Sequence, residues 1–453
     1  MDIKMESAYY SKLFNPLITY KGTDDQMISY LSYLWKDNTS TRTSIGDANF
    51  VNHKQNINVT QFKAIMNKIS DNIVFRGNFG AYGDALEKEL SLNKKSIIMN
   101  YKQSKELYLC LDDLIKYNRI RPELFEKIKY ATIFIKHKKG DEKDPKNFRF
   151  LSNHHKIFKI LDKFWTNSLI NILKKNKGLP DRVIVRNNLD REYSVSIKDL
   201  ALEKLTRFKL GKKIVLLDIM KAFDSVSWNA LEKLLIRNIT RKVNKQFAEK
   251  IVKQYMFLNT ERCIKFNSKT IKFNKSIATG LPSSTIVFSL IIEQIIFEWT
   301  TKEKCNDELL VNTFVDDMYL EFSDITRCDY LVRSLINYLK DNDFIINESK
   351  TKTNIEELQY SKIDCSDCYL GLPFANNDRR YVEECVIMFK NRYYDISIKN
   401  MINILESDKD KNIKVRRQIL GFFNYKLHGL KLFGRNNLDV LDTLKEYINI
   451  IIN

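Results

Sequence analysis

Two carboxylates, Asp316 and Asp317, stand side by side between the apolar runs 309–315 and 318–322. A chain that folds these runs into neighbouring strands must put both charges in the tight turn between them. Adjacent carboxylates in a semi-buried turn repel each other and are costly unless a cation shares them. A second apolar run, Ile214-Val215-Leu216-Leu217, ends in another carboxylate, Asp218. If that strand lies beside the first pair, three acidic side chains meet at one sheet edge. Such a set suits hard divalent ions. Two of these clamp the attacking and leaving oxygens of an in-line phosphoryl displacement. The plain alternative is a solvated Asp-Asp turn with no chemistry.

The charge balance points to the same class of ligand. Lys and Arg number 75 against 56 Asp and Glu, a net charge of +19 in 453 residues. A surplus of this size favours a polyanionic partner, because each neutralised phosphate releases condensed counterions. The alternative is lysine enrichment from an A·T-biased coding sequence. With 13 Gly and 6 Pro, the chain is too poor in both for a collagen-like, mucin-like or linker-rich protein. Its length predicts two or three subdomains. An odd count of seven Cys and the polar start MDIKMESAYY predict a reducing, intracellular setting rather than secretion. Cys365-Ser-Asp-Cys368 is a lone CxxC, with Cys385 and His428 the nearest further ligands and no regular second pair, so zinc is not expected. The apolar run 285–299 is interrupted by Glu293 and Gln294 and is too short and polar to span a bilayer.

Periodicity predicts a helix over 101–128, a short strand over 129–135, a basic turn at 136–140 and a helix over 154–176. A buried strand over 212–218 precedes a helix over 228–256, a hairpin over 262–274 and an apolar helix over 284–299. Strand, acidic turn and strand follow over 309–322, then an amphipathic helix over 329–341, a short strand over 368–375 and a basic helical tail from 380. Acidic residues at strand ends among alternating helices predict an α+β fold, a small sheet backed by helices.

The stretch 214–228, with Asp218-Ile-Met-Lys-Ala-Phe223-Asp-Ser-Val-Ser-Trp228, resembles polymerase motif A of the reverse transcriptases. Residues 313–320, with Phe314-Val-Asp316-Asp317, resemble motif C, and the 98 positions between Asp218 and Asp316 leave room for motif B. The segment 136–151, KHKKGDEKDPKNFRFL, is similar to the fingers segment of non-LTR retrotransposon and group II intron enzymes. The segments around Lys350, at 369–374 and at 418–425 resemble motif D, the primer grip and the thumb helix. The resemblance covers about residues 100–430.

This resemblance implies an RNA-directed DNA polymerase with a right-hand fold: a palm with a small antiparallel sheet backed by helices, and helical fingers and thumb. The expected division is an N-terminal extension at 1–100, fingers at 101–210, a palm at 211–375 with a fingers insertion at about 229–275, and a helical thumb at 376–453. It implies two Mg²⁺ ions, or Mn²⁺ in their place, on Asp218, Asp316 and Asp317, with Lys350 as proton donor to the leaving pyrophosphate. Lys138, Lys139 and Arg149 are expected to hold the incoming triphosphate, Arg because its planar fork pairs two phosphate oxygens. Phe223 is expected to pack under the sugar and exclude a 2′-hydroxyl. The implied partners are an RNA template, a DNA or RNA primer and dNTPs.

Motif B departs from the family's G-(I/V/L)-P-Q-G: Gly280-Leu281-Pro282 is followed by Ser283 and Ser284. Ser283 is therefore the expected nucleotide contact in place of Gln, with a shorter reach. Three other readings stay open: an RNA-directed RNA polymerase, a catalytically impaired RNA-binding scaffold and a telomerase-like enzyme. A retroelement polymerase and a host enzyme, for example one of antiviral defence, are both compatible with the residues.

Overall fold

A computed structural model describes residues 20–36, 101–138, 140–175, 197–266, 269–305, 307–392 and 413–435, with 442, 443 and 446. The fold is mixed α+β. Two principal sheets are set among helices.

The N-terminal helix α1 (Asp24–Leu34) opens with a capping box between Thr23 and Gln26. The expected helix over 101–128 is two helices, α2 (Tyr101–Tyr117) and α3 (Pro122–Ile128). Asn118 is left-handed between them, with φ 57°, and Pro122 sits in the first turn of α3, where its missing N–H costs nothing. Strands β1 (Tyr130–His137) and β2 (Phe148–His154) pair antiparallel, and α4 (Lys156–Lys175) follows. The hairpin β4 (Cys263–Phe266) and β5 (Lys269–Lys272) joins them in one sheet of order β2-β1-β4-β5, with β4 parallel to β1. The segment 101–210, expected to be mainly helical, thus contributes β1 and β2 to a four-stranded sheet.

The second sheet has five strands in the order β6-β7-β3-β8-β9. It comprises β3 (Lys213–Asp218), β6 (Leu309–Phe314), β7 (Asp317–Phe322), β8 (Lys352–Thr353) and β9 (Ser361–Lys362). Its pairs are antiparallel except β8 with β9. Alternate residues face two different cores. Val215, Leu217, Met318 and Leu320 join a large cluster with the helices on one side. Ile214 and Tyr319 join a second cluster with α5 (Ile197–Lys209), α11 (Asp378–Arg392) and α12 (Ile413–Lys426).

Between Asp218 and β4 lie the four-residue turn α6 (Ala222–Ser225) and two helices, α7 (Trp228–Thr240) and α8 (Lys245–Thr260). One helix was expected over 228–256; the Asn244 side chain caps a second start by accepting from Phe247 N–H. Helix α9 (Ser283–Glu303) is apolar around most of its circumference and runs through the large core, with Phe288, Leu290, Ile291, Ile292, Ile295 and Trp299 buried. Helix α10 (Cys328–Asp341) packs its apolar stripe on the same core.

Candidate active site

Register brings the acids together. Asp218, the last residue of β3, pairs directly with Asp317, the first residue of β7. Side chains alternate along a strand, so Asp218 continues the face of Ile214 and Leu216, and Asp317 that of Tyr319 and Glu321. The two carboxylates thus share one face of adjacent strands. Phe314 pairs with Asp317 across a two-residue turn, Val315-Asp316. Val315 has φ 61°, a conformation that Gly supplies easily and a β-branched residue adopts only under strain.

The electrostatics record this crowding. Burial, then the charges of Asp316 and Asp218, push the Asp317 carboxyl up to about 6. Burial and Asp218 raise Asp316 as well, while Arg149 and Lys350 oppose the rise. Lys350 Nζ lies 3.0 Å from Asp218 Oδ2. Its 3₁₀ turn, Glu348–Lys350, is tied down because Asn347 N–H donates to Asp218 O at 2.8 Å and Met220 N–H to Ile345 O at 2.8 Å.

Among the described residues, no three Asp, Glu, His or Cys side chains already form a cluster that could hold a metal ion. The expected triad therefore shares one field without forming a closed cage. The donors nonetheless fit a hard cation: oxygen ligands only, with two carboxyls raised by burial and mutual repulsion. Mg²⁺ is ordinarily held by one or two carboxylates plus substrate phosphates rather than by an all-protein cage.

From the four-stranded sheet the charge of Arg149 acts on Asp316. Arg149 is exposed on β2 and pairs with Lys136 of β1. Lys138 lies just beyond β1, where its N–H donates to Asn147 O at 2.8 Å and closes the hairpin. Desolvation, then Arg149, lowers the Lys138 ammonium from its ordinary value. Phe134 and Leu151 pair across β1 and β2 on the same face as Lys136 and Arg149, and both are exposed. Lys139 lies outside the described residues.

Phe223 sits in α6, partly buried, with its ring 4.9 Å from that of Phe288. Its carbonyl accepts from Ile277 N–H at 2.9 Å.

Ser283 is not a free contact for a nucleotide. It is buried, and both its N–H and its Oγ–H donate to Asp162, at 2.8 and 2.6 Å. Burial pushes Asp162 up to about 6 against these two bonds. The adjoining loop is docked on β2. Gly280 has φ +94°, and a Cβ there would stand 2.8 Å from Ser152 O. Thr279 Oγ1 donates to Phe150 O at 2.6 Å. The 279–284 segment is thus held by the buried Asp162 side chain of α4 and by the backbone of β2.

The N-terminal segment, from which the sequence suggested no role, meets the same site. Trp35 Nε1 donates to Asp224 Oδ1 at 2.9 Å, across 189 positions. An invariant spacing between them does not exist to be read, so only the folded chain reveals the pair.

The reverse transcriptase (RNA-dependent DNA polymerase) family matches residues 136–361, a span that holds Asp218, Asp316 and Asp317. Through these residues the chain belongs to the reverse transcriptase family. No curated protein matches it. Among solved structures it is similar to telomerase from Candida albicans in complex with a TWJ fragment of telomeric RNA, at 12% identity over 76% of this chain and 61% of that one, TM-score 0.40. Apo telomerase from Candida tropicalis gives 12% identity over 76% and 66%, TM-score 0.42. The chain spans less than two thirds of the length of either telomerase. Among the described residues, no helix is long and apolar enough to cross a membrane.

Proposed function

We propose that the chain is an RNA-directed DNA polymerase that extends a DNA or RNA primer with dNTPs on an RNA template. The observation that carries this reading is the register of β3 on β7, which sets Asp218 opposite Asp317 with Asp316 in the adjoining turn. Asp218, Asp316 and Asp317 would hold Mg²⁺ or Mn²⁺. Such ions supply charge stabilisation to the attacking and leaving oxygens.

The chain's own groups do the rest. Arg149 and Lys138 hold the triphosphate at the open face of the four-stranded sheet, and Lys139 takes the same role on the sequence pattern alone. Lys350, at the edge of the acidic group, delivers a proton to the leaving pyrophosphate. Phe223, backed by Phe288, closes the space a 2′-hydroxyl would need. Residues 101–210 with the hairpin at 263–272 act as fingers, 211–375 as palm and 376–453 as thumb. The union of β1 and β2 with β4 and β5 in one sheet supports counting that hairpin with the fingers. The K-K-G-D and N-F-R strings favour kinship with the non-LTR retrotransposon and group II intron enzymes.

The test is extension of a primer on an RNA template with Mg²⁺ and either dNTPs or rNTPs. The native chain is expected to extend with dNTPs. Extension with rNTPs alone, or no extension on any primed template, overturns the reading.

A further inference from the structure

Trp35 is nearly fully buried, 3% exposed, yet its indole N–H is spent on a carboxylate. Asp224 lines a small cavity of about 10 Å³ with Trp35, Arg262, Ser276 and Thr279. Burial raises its carboxyl above the ordinary value, and the Trp35 hydrogen bond opposes that rise most strongly. Among the described residues, Trp35 supplies the one hydrogen bond to this side chain. An indole N–H is a donor only and must find an acceptor when buried, so each group satisfies the other.

The indole is itself fixed. Its rings lie 4.4 Å from Phe273 and 6.4 Å, edge-on, from Phe150, and the backbone carbonyl of Trp35 accepts from Asn274 N–H at 3.0 Å. Helix α1 is held to the four-stranded sheet by Lys269–Asp25 at 2.8 Å and by Tyr30 against Phe150 at 5.9 Å. Lys221, left-handed at φ 49°, lays its Nζ over the Tyr30 ring at 4.9 Å. The turn that carries Phe223 is therefore clamped from two sides: by Ser276 and Ile277, which donate to Val226 O and Phe223 O, and by Trp35 through Asp224.

We propose that Trp35 is a positioning residue for the sugar of the incoming nucleotide, acting through Asp224 on the setting of Phe223. This rests on the polymerase reading above and on the sugar-excluding role given there to Phe223. Without the indole donor, Asp224 is left with Lys221, Lys138 and Arg262 as the charges within its field. A carboxylate drawn toward them turns α6 and shifts the ring beside it. The expected loss is in discrimination between dNTPs and rNTPs rather than in overall turnover.

Trp35→Phe keeps the ring packing and removes the donor. It is expected to lower the ratio of kcat/KM for dNTPs over rNTPs by about tenfold, the order of one hydrogen bond to a charged group, with a melting temperature lowered by a few degrees, since a buried carboxylate loses its donor. Asp224→Leu, near in size and without an acceptor, should lower the ratio similarly, and the double variant should lose no more than either single one, since both break one link. Phe223→Ala is the control. If it leaves the ratio unchanged, the sugar-excluding role falls and this inference with it. If Phe223→Ala shifts the ratio but Trp35→Phe does not, or if the double variant is additive, the inference alone is overturned. A native chain inactive with both nucleotide types overturns the polymerase reading and this inference together.

Discussion

In the five-stranded sheet β7 is buried on both faces and Asp218 and Asp317 stand at strand ends, whereas in the four-stranded sheet β2 buries one face and carries Arg149 on the other. In β7 every residue after Asp317 is buried; in β2 buried and exposed residues alternate throughout. The acids are therefore placed by backbone register, which a one-residue slip would destroy. The bases sit at the tips of long side chains on an open surface, where position is adjustable. The contrast predicts all-or-none behaviour for the first group and graded behaviour for the second.

The strongest test of that contrast is Asp316→Asn with Asp317→Asn. Extension is expected to fall by roughly a thousandfold or more, with the protein still folded by circular dichroism. Residual activity near the native level would mean that register does not set the chemistry. Graded behaviour is probed by Arg149→Ala, expected to cost about 30-fold in kcat/KM for dNTPs, chiefly through KM, and by Arg149→Lys, expected to recover part of it. Equal losses in the two variants would show that a point charge is not what the site uses.

Ser283→Ala should separate packing from binding. It removes one of the two donors to buried Asp162 and should destabilise the fold by about 1–2 kcal/mol in urea titration. Its KM for dNTPs should stay within about twofold of native, for want of any substrate contact. The smallest effect concerns pH. Asp162 and Asp317 are both raised to about 6, above their unfolded values near 4. Both therefore bind a proton more tightly when folded, so their contribution to stability is greatest below about pH 4 and declines as pH rises through 6. Asp317→Asn should flatten that decline, raising the melting temperature slightly at pH 7 and not at pH 4. An unchanged slope would place Asp317 in an ordinary solvated setting.

The acidic core of the site was legible because its signal is local. An apolar strand ending in a carboxylate, and two carboxylates between apolar runs, each need only a few consecutive residues. The strand β2 was missed because two of its inward residues, Ser152 and His154, are polar, which blurs the alternation that marks a half-buried strand. The break between α7 and α8 carries neither Gly nor Pro, so only the cap at Asn244 signals it. The bond that holds Ser283 was not legible because its partner, Asp162, lies 121 positions away. Trp35 is a longer case of the same kind: its partner is chosen by tertiary packing, and no spacing rule reaches it. The telling clue was chemical, a buried donor-only ring in need of an acceptor.

The turn at Val315 has one more consequence. Replacing this valine with glycine would relax a dihedral of 61° that suits glycine far better, so the most comfortable amino acid for the bend is not the one present. Directed evolution for heat tolerance alone would be drawn to that exchange, while screening for copying would resist it if the cramped bend is what aims Asp316. The locus is thus a place where the two kinds of screen should part company.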